Sequence, residues 1–115
     1  MGFKRQAQDV TFQVNMDHLV KTVTLRDGRQ YWHRCERQVY EMVASELEQH
    51  AERGITGSEL ADLLELPYTK VYVALSFLQE RGCVIQRYRR NLPASGCLFE
   101  DAMIEYHALR EEGPE

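Results

Sequence analysis

Apolar and polar residues change their period several times along this 115-residue chain, and each change marks an element. Val10, Phe12 and Val14 alternate with Thr11 and Gln13, the period of two that a half-buried strand requires. After a polar break at Asn15-Met16-Asp17-His18, a second β-rich run covers 20–25. Asp27-Gly28 follows, a pair suited to a two-residue type I′ turn. Residues 29–33 then read as the returning strand of a hairpin, with Tyr31 and Trp32 as aromatic surface. A competing reading makes this segment an irregular arm in which Tyr31-Trp32 opens the next helix.

From residue 36 the period lengthens to that of a helix. Val39, Met42, Val43, Leu47 and Ala51 share one face of a helix spanning 36–52, and Gly54 ends it where a left-handed backbone costs little. Thr56-Gly57-Ser58-Glu59 has the form of a capping box: a hydroxyl for a free amide at the helix start, and a carboxylate that reaches back to the Thr56 amide. Leu60, Leu63 and Leu64 form the stripe of this short second helix. Leu66-Pro67 stops it, because the residue before proline is pushed out of helical geometry. A third helix runs to 81, with Val71, Ala74, Leu75 and Leu78 facing the core. Thr69, Lys70, Tyr72, Val73 and Ser76 fall on its other faces, Phe77 lies off the core stripe, and Gly82 closes the helix.

Residues 83–89 are a strand by composition. Residues 90–96, with Asn91, Pro93, Ser95 and Gly96, read as a loop, and 97–99 as the returning strand. That pairing would set Cys83 near Cys97. It would also put Arg87 and Arg89 on one face and Tyr88 on the other, toward the core. A last helix from 101 to 110 carries Ala102, Met103, Tyr106 and Leu109 as its stripe. The expected fold class is α+β, mainly helical, in three parts: an N-terminal β-hairpin or arm (1–35), a helical domain with a two-stranded ribbon (36–100), and a C-terminal helix with an acidic tail (101–115).

Charge sharpens this outline. The net charge of −4 is unevenly spread: +3 over 1–35, −6 over 36–67, +4 over 68–99 and −5 beyond. A partner feels the local field within about 8 Å at physiological salt, so the 68–99 stretch can meet a polyanion despite the acidic total.

The run Thr56-Gly57-Ser58-Glu59-Leu60-Ala61, followed by Val71, Ala74, Leu75, Leu78 and Gly82 in the third helix, resembles the winged helix-turn-helix family, MarR-like and related bacterial transcriptional regulators. The resemblance implies a three-helix core plus a two-stranded wing. It also implies sequence-specific binding of double-stranded DNA, with the 68–81 helix in the major groove and the 87–90 wing on the phosphate backbone. The DNA-contacting residues it suggests are Thr69, Lys70, Tyr72 and Ser76 on the helix, and Arg87, Arg89, Arg90 and Asn91 on the wing. Such regulators act as dimers. The candidate surfaces are the C-terminal helix (Met103, Tyr106, Leu109), the N-terminal strands, and Phe77. The competing function is a winged-helix module for protein–protein contact without DNA. A ligand pocket between Tyr31, Trp32 and the terminal helix is a third reading.

Other chemistry finds little support. No G-x-S-x-G, phosphate loop, H-E-x-x-H or dinucleotide fingerprint occurs, so no enzyme activity and no cofactor are expected. Cys35, Cys83 and Cys97 lack metal-ligand spacing and are expected as free thiols, with no metal site. With no apolar run of membrane-spanning length and no secretion signal, a cytoplasmic protein without a membrane partner is expected.

Overall fold

The alternation near the start of the chain builds a three-stranded meander where a hairpin was expected. The computed structural model describes residues 7–113. In it β1 (Ala7–Asn15), β2 (His18–Leu25) and β3 (Gln30–Glu36) pair antiparallel in the order β1-β2-β3. The type I′ turn lies between β1 and β2: Met16 and Asp17 have φ of 51° and 60°, flanked by the Asn15–His18 pair. At Asp27-Gly28 only the glycine has a positive φ, +93°. There the Gly28 amide donates to the Leu25 carbonyl at 2.9 Å and the Leu25 amide to the Arg29 carbonyl at 2.8 Å. This is the three-residue loop with a glycine bulge, which needs one left-handed residue where type I′ needs two.

One face of the meander carries Phe12, Val14, Leu19, Val23 and Cys35, and it packs on the helices that follow. α1 (Arg37–Glu48) ends earlier than expected. Residues 49–53 are turns, Ala51 is exposed and Met42 sits at the rim, while Tyr40 and Ala44 join Val39, Val43 and Leu47 in the core. Gly54 then lets the chain pass close to a later strand: a Cβ there would lie 2.9 Å from the Asn91 carbonyl oxygen, and its φ is +75°.

A two-residue strand, β4 (Ile55–Thr56), leads into α2 (Gly57–Leu64). The capping box forms in full: the Glu59 amide donates to the Thr56 hydroxyl and the Thr56 amide to the Glu59 carboxylate, both at 3.1 Å. Glu65 ends α2 in the left-handed conformation, one residue before the proline constraint applies. Leu60 and Ala61 face inward, but Leu63 is exposed.

α3 (Tyr68–Glu80) buries Val71, Ala74, Leu75 and Leu78 as its spacing predicts. It also buries Val73 and Phe77, which the sequence reading placed outside the core. The meander covers that second face. Phe12 meets Phe77 edge-on with ring centroids 5.3 Å apart, and Tyr40 lies 6.0 Å from Phe77 on the other side. Phe77 is therefore unavailable as a dimer contact.

The C-terminal part departs furthest from expectation. β5 (Val84–Arg87) and β6 (Arg90–Pro93) form a tight ribbon whose two-residue tip, Tyr88-Arg89, is a second turn with successive positive φ of 51° and 72°. β6 occupies the expected loop and pairs with β4 as well, giving the order β4-β6-β5. Pro93 pairs with Val84 of β5, but its nitrogen faces the β4 side, where β4 reaches only Arg90 and Asn91, so no ladder bond is lost. The segment 97–99 is no strand. Cys97 precedes α4 (Leu98–Glu112), so Cys83, which is buried, and Cys97, which is exposed, are not cross-strand neighbours. Leu98, Ala102, Tyr106 and Leu109 are buried at helical spacing, and the Glu48 carboxylate accepts from the Phe99 amide at 2.7 Å, occupying a free donor of the first turn.

One continuous core joins all these parts. The buried Tyr40 hydroxyl donates to the Ala102 carbonyl at 2.6 Å and ties α1 to α4. Tyr106 and Leu109 are spent in this core, which leaves Ile104 as the exposed large apolar residue of α4. Tyr31 and Trp32 project to opposite faces of β3, and α4 packs against β1, so these side chains do not wall a common pocket. Among the described residues no helix is long and apolar enough to cross a membrane.

Candidate nucleic-acid interface

With Val73 and Phe77 under the meander and Val71, Ala74 and Leu78 in the helical core, α3 keeps a narrow exposed ridge. That ridge carries the exposed Tyr68, Thr69 and Tyr72, with the half-buried Ser76 and Gln79 along its later turns. Tyr68 and Tyr72, one turn apart, stack with centroids 5.9 Å apart and planes at 21°. On one flank a groove of about 550 Å³ separates the ridge from the β5–β6 ribbon. Ser58 at the start of α2, together with Gln86, Arg89, Tyr68 and Tyr72, lines it. On the other flank lies the meander.

The proposed contact residues separate into two groups. Thr69 and Tyr72 are exposed on the ridge, and Arg87 and Arg89 are exposed on the ribbon, with no acidic partner among the described residues. The other four are engaged within the fold. The Lys70 ammonium turns toward β3 and donates to both Glu36 carboxylate oxygens, at 3.0 and 2.9 Å, which holds the Glu36 carboxyl below its ordinary range. Lys70 therefore does not join the ribbon arginines. Arg90 reaches back to the carbonyls of Arg53 (2.9 Å) and Gly54 (3.1 Å) and to Glu59 (3.4 Å), bracing the ribbon against the start of α2. Asn91 is 1% exposed; its amide accepts from Gln79 at 2.8 Å and donates to the Ile55 carbonyl at 3.0 Å, joining α3, β4 and β6. Ser76 accepts from Lys21 at 3.0 Å.

Several side chains around the ridge and ribbon, Tyr88 and Tyr68 exposed and Lys21 buried, stand where the sequence pattern did not put them. Tyr88, expected to point inward, is 94% exposed at the ribbon tip, because the turn falls at Tyr88-Arg89 and breaks the alternation. The same displacement takes Arg89 off the face of Arg87 and puts it in the groove wall. Tyr68 had a readable signal, since it sits one turn before Tyr72 in a helix whose core positions were assigned. Lys21 interrupts an apolar run on the inward face of β2, where it faces Tyr72 from 4.3 Å. Comparison with protein-family models, with curated proteins and with solved structures finds no match.

Proposed function

We propose that this chain is a winged helix-turn-helix protein that binds double-stranded DNA sequence-specifically, as a transcriptional regulator. In this reading α3 is the major-groove helix and the β5–β6 ribbon is the wing. Tyr68, Thr69 and Tyr72 face base edges, and Arg87 and Arg89 hold phosphates. Lys70, Arg90 and Asn91 position the helix and the wing without touching DNA. The observation that carries the reading is the pair of acid-free arginines on a ribbon set beside the exposed ridge of a helix that is buried on its remaining faces. A helix presented to a groove must be anchored from behind in this way, and bidentate guanidinium groups suit backbone phosphate.

The test is duplex binding by fluorescence anisotropy as a function of salt, using a duplex selected from a random pool. Wild type should bind with an affinity that falls linearly on logarithmic axes. Arg87→Glu/Arg89→Glu should weaken binding at least tenfold and lower the slope by about two units, since each phosphate contact contributes roughly 0.9. Wild type showing no salt-dependent binding at low ionic strength would remove the proposal. The competing function, protein contact without DNA, would place the partner on the acidic α1–α2 side, where Glu41 and Glu46 rim a shallow cleft floored by Met42, Leu64 and Phe99. In that case charge reversal on the ribbon leaves function unchanged.

A further inference from the structure

Lys21 is the one buried cation among the described residues, at 8% exposed, and it has no carboxylate partner. Its ammonium donates to the Ser76 hydroxyl at 3.0 Å and sits 4.3 Å from the centre of the Tyr72 ring. A hydroxyl and a ring face are weak compensation for a desolvated charge, which ordinarily recruits an anion. The ammonium has three donors, and Ser76 takes one. Lys21 also lines an open cleft on the meander side of α3, with Val10, Phe12, Ser76, Gln79 and Glu80.

The position is informative as well as the charge. Tyr72 belongs both to the ribbon-side groove and to the Lys21 contact, so the exposed ridge of α3 runs between Lys21 on one flank and Arg89 on the other. A helix lying in a major groove about 12 Å wide has a sugar–phosphate backbone on each side. The ribbon arginines serve one of these backbones. We infer that Lys21 serves the other: the N-terminal meander is a second phosphate clamp, and the ammonium fixed between Ser76 and Tyr72 contacts a phosphodiester oxygen across α3 from the wing. This rests on the DNA-binding reading and gives the N-terminal sheet a part in it. Tyr72 then has two roles, presenting its edge to the groove floor and its face to the ammonium that grips the backbone.

The experiment compares wild type, Lys21→Met, Lys21→Arg and Arg87→Gln on the same selected duplex, each across a salt series, with urea denaturation run in parallel. Lys21→Met should lower the salt slope by about one unit and weaken binding to all duplex sequences alike, because a phosphate contact carries no sequence information. Its urea midpoint should stay level or rise, since an apolar side chain of similar length replaces a buried charge held only by a hydroxyl and a ring face. Lys21→Arg should keep the wild-type slope. If Lys21→Met binds with the wild-type slope, whatever its stability, the clamp is overturned while the DNA reading stands, because Arg87→Gln still loses its unit of slope. If wild type binds no duplex, the reading itself falls and the clamp with it. Should Lys21→Met fail to fold, Lys21→Gln, which keeps a donor for Ser76, provides the same comparison.

Discussion

Phe77 lies where the meander meets the helices, so Phe77→Ala tests whether the two are one structure. The ring is fully buried, with Phe12 on one side, Tyr40 on the other and the Arg81 guanidinium 4.9 Å from its centre. Removing a buried phenylalanine side chain costs about 3–5 kcal/mol, and the cost is highest where the walls cannot close in. Here the walls belong to β1, held by its pairing with β2, and α1, held by α4, and an edge-to-face pair is lost as well. The expected loss is therefore in the upper half of that range, about 4 kcal/mol, against a total of about 5–15 kcal/mol for a domain. With a urea slope near 1.5–2 kcal/mol/M for a chain of this size, the midpoint should fall by about 2–3 M. The molecule supplies two probes for the assay. Its single tryptophan, Trp32, reports on β3, and far-ultraviolet circular dichroism reports on the helices. In wild type the two transitions should coincide, as a shared core requires. The reasoning is refuted if the midpoint of Phe77→Ala moves by less than about 0.5 M, or if wild-type Trp32 emission changes at a different urea concentration from the helical signal.

Three further outcomes follow from the turns and the thiols. Met16 holds a positive φ with its side chain 87% exposed, so Met16→Asn relieves backbone strain and loses no packing. The gain should be about 0.5–1 kcal/mol, and the thermal midpoint should rise by about 2–6 °C; a fall in calorimetry would count against the type I′ turn. Cys97 is exposed while Cys35 and Cys83 are buried, so a disulfide reagent should label one thiol quickly and the other two only on unfolding. Burial, reinforced by the neighbouring Glu36, pushes the Cys35 thiol up from 9.0 to about 12. The folded state thus resists ionisation that the unfolded chain undergoes, and stability that is intact below pH 9 should decline between about 9 and 12. Cys35→Ala should remove part of that alkaline limb, the remainder belonging to Cys83, Tyr40 and Tyr106, whose ionisation burial also disfavours.

What the sequence conveys well is local. The capping box at Thr56 and Glu59 and the inward stripe of α3 depend on residues within one or two turns of each other, and both form as read. The burial of Val73 and Phe77 depends on a sheet some fifty residues away. Its trace in the sequence is that α3 carries more apolar positions than a helix buried on one side needs. Neither Tyr88-Arg89 nor Met16-Asp17 has the glycine or asparagine that normally announces two left-handed residues, so the polar break at 15–18 marks the place of the β1–β2 turn but not its type, and the ribbon tip leaves no local signal. Pro93 and Asn91 suggested a loop; cross-strand pairing with β4 and the buried amide of Asn91 prevail over that propensity. At the candidate interface, residue type identified which side chains are basic, but only tertiary contacts decide which are spent. Lys70 and Arg90 are held by Glu36 and by the Arg53 and Gly54 carbonyls, whereas Arg87 and Arg89 remain available.

The docking of the meander on α3 also bears on the order of events during synthesis. The three strands are complete by Glu36, and their pairings are local, so they can form early. The helices that cover them, α3 on β2 and β3 and α4 on β1, end at Glu80 and Glu112, which a ribosome making about 5–20 residues per second reaches roughly 2–9 s and 4–15 s later. Through that interval Phe12, Val14, Leu19 and Val23 have no lid. The nascent chain therefore passes through a stage in which a finished sheet waits, apolar side outward, for its own helices.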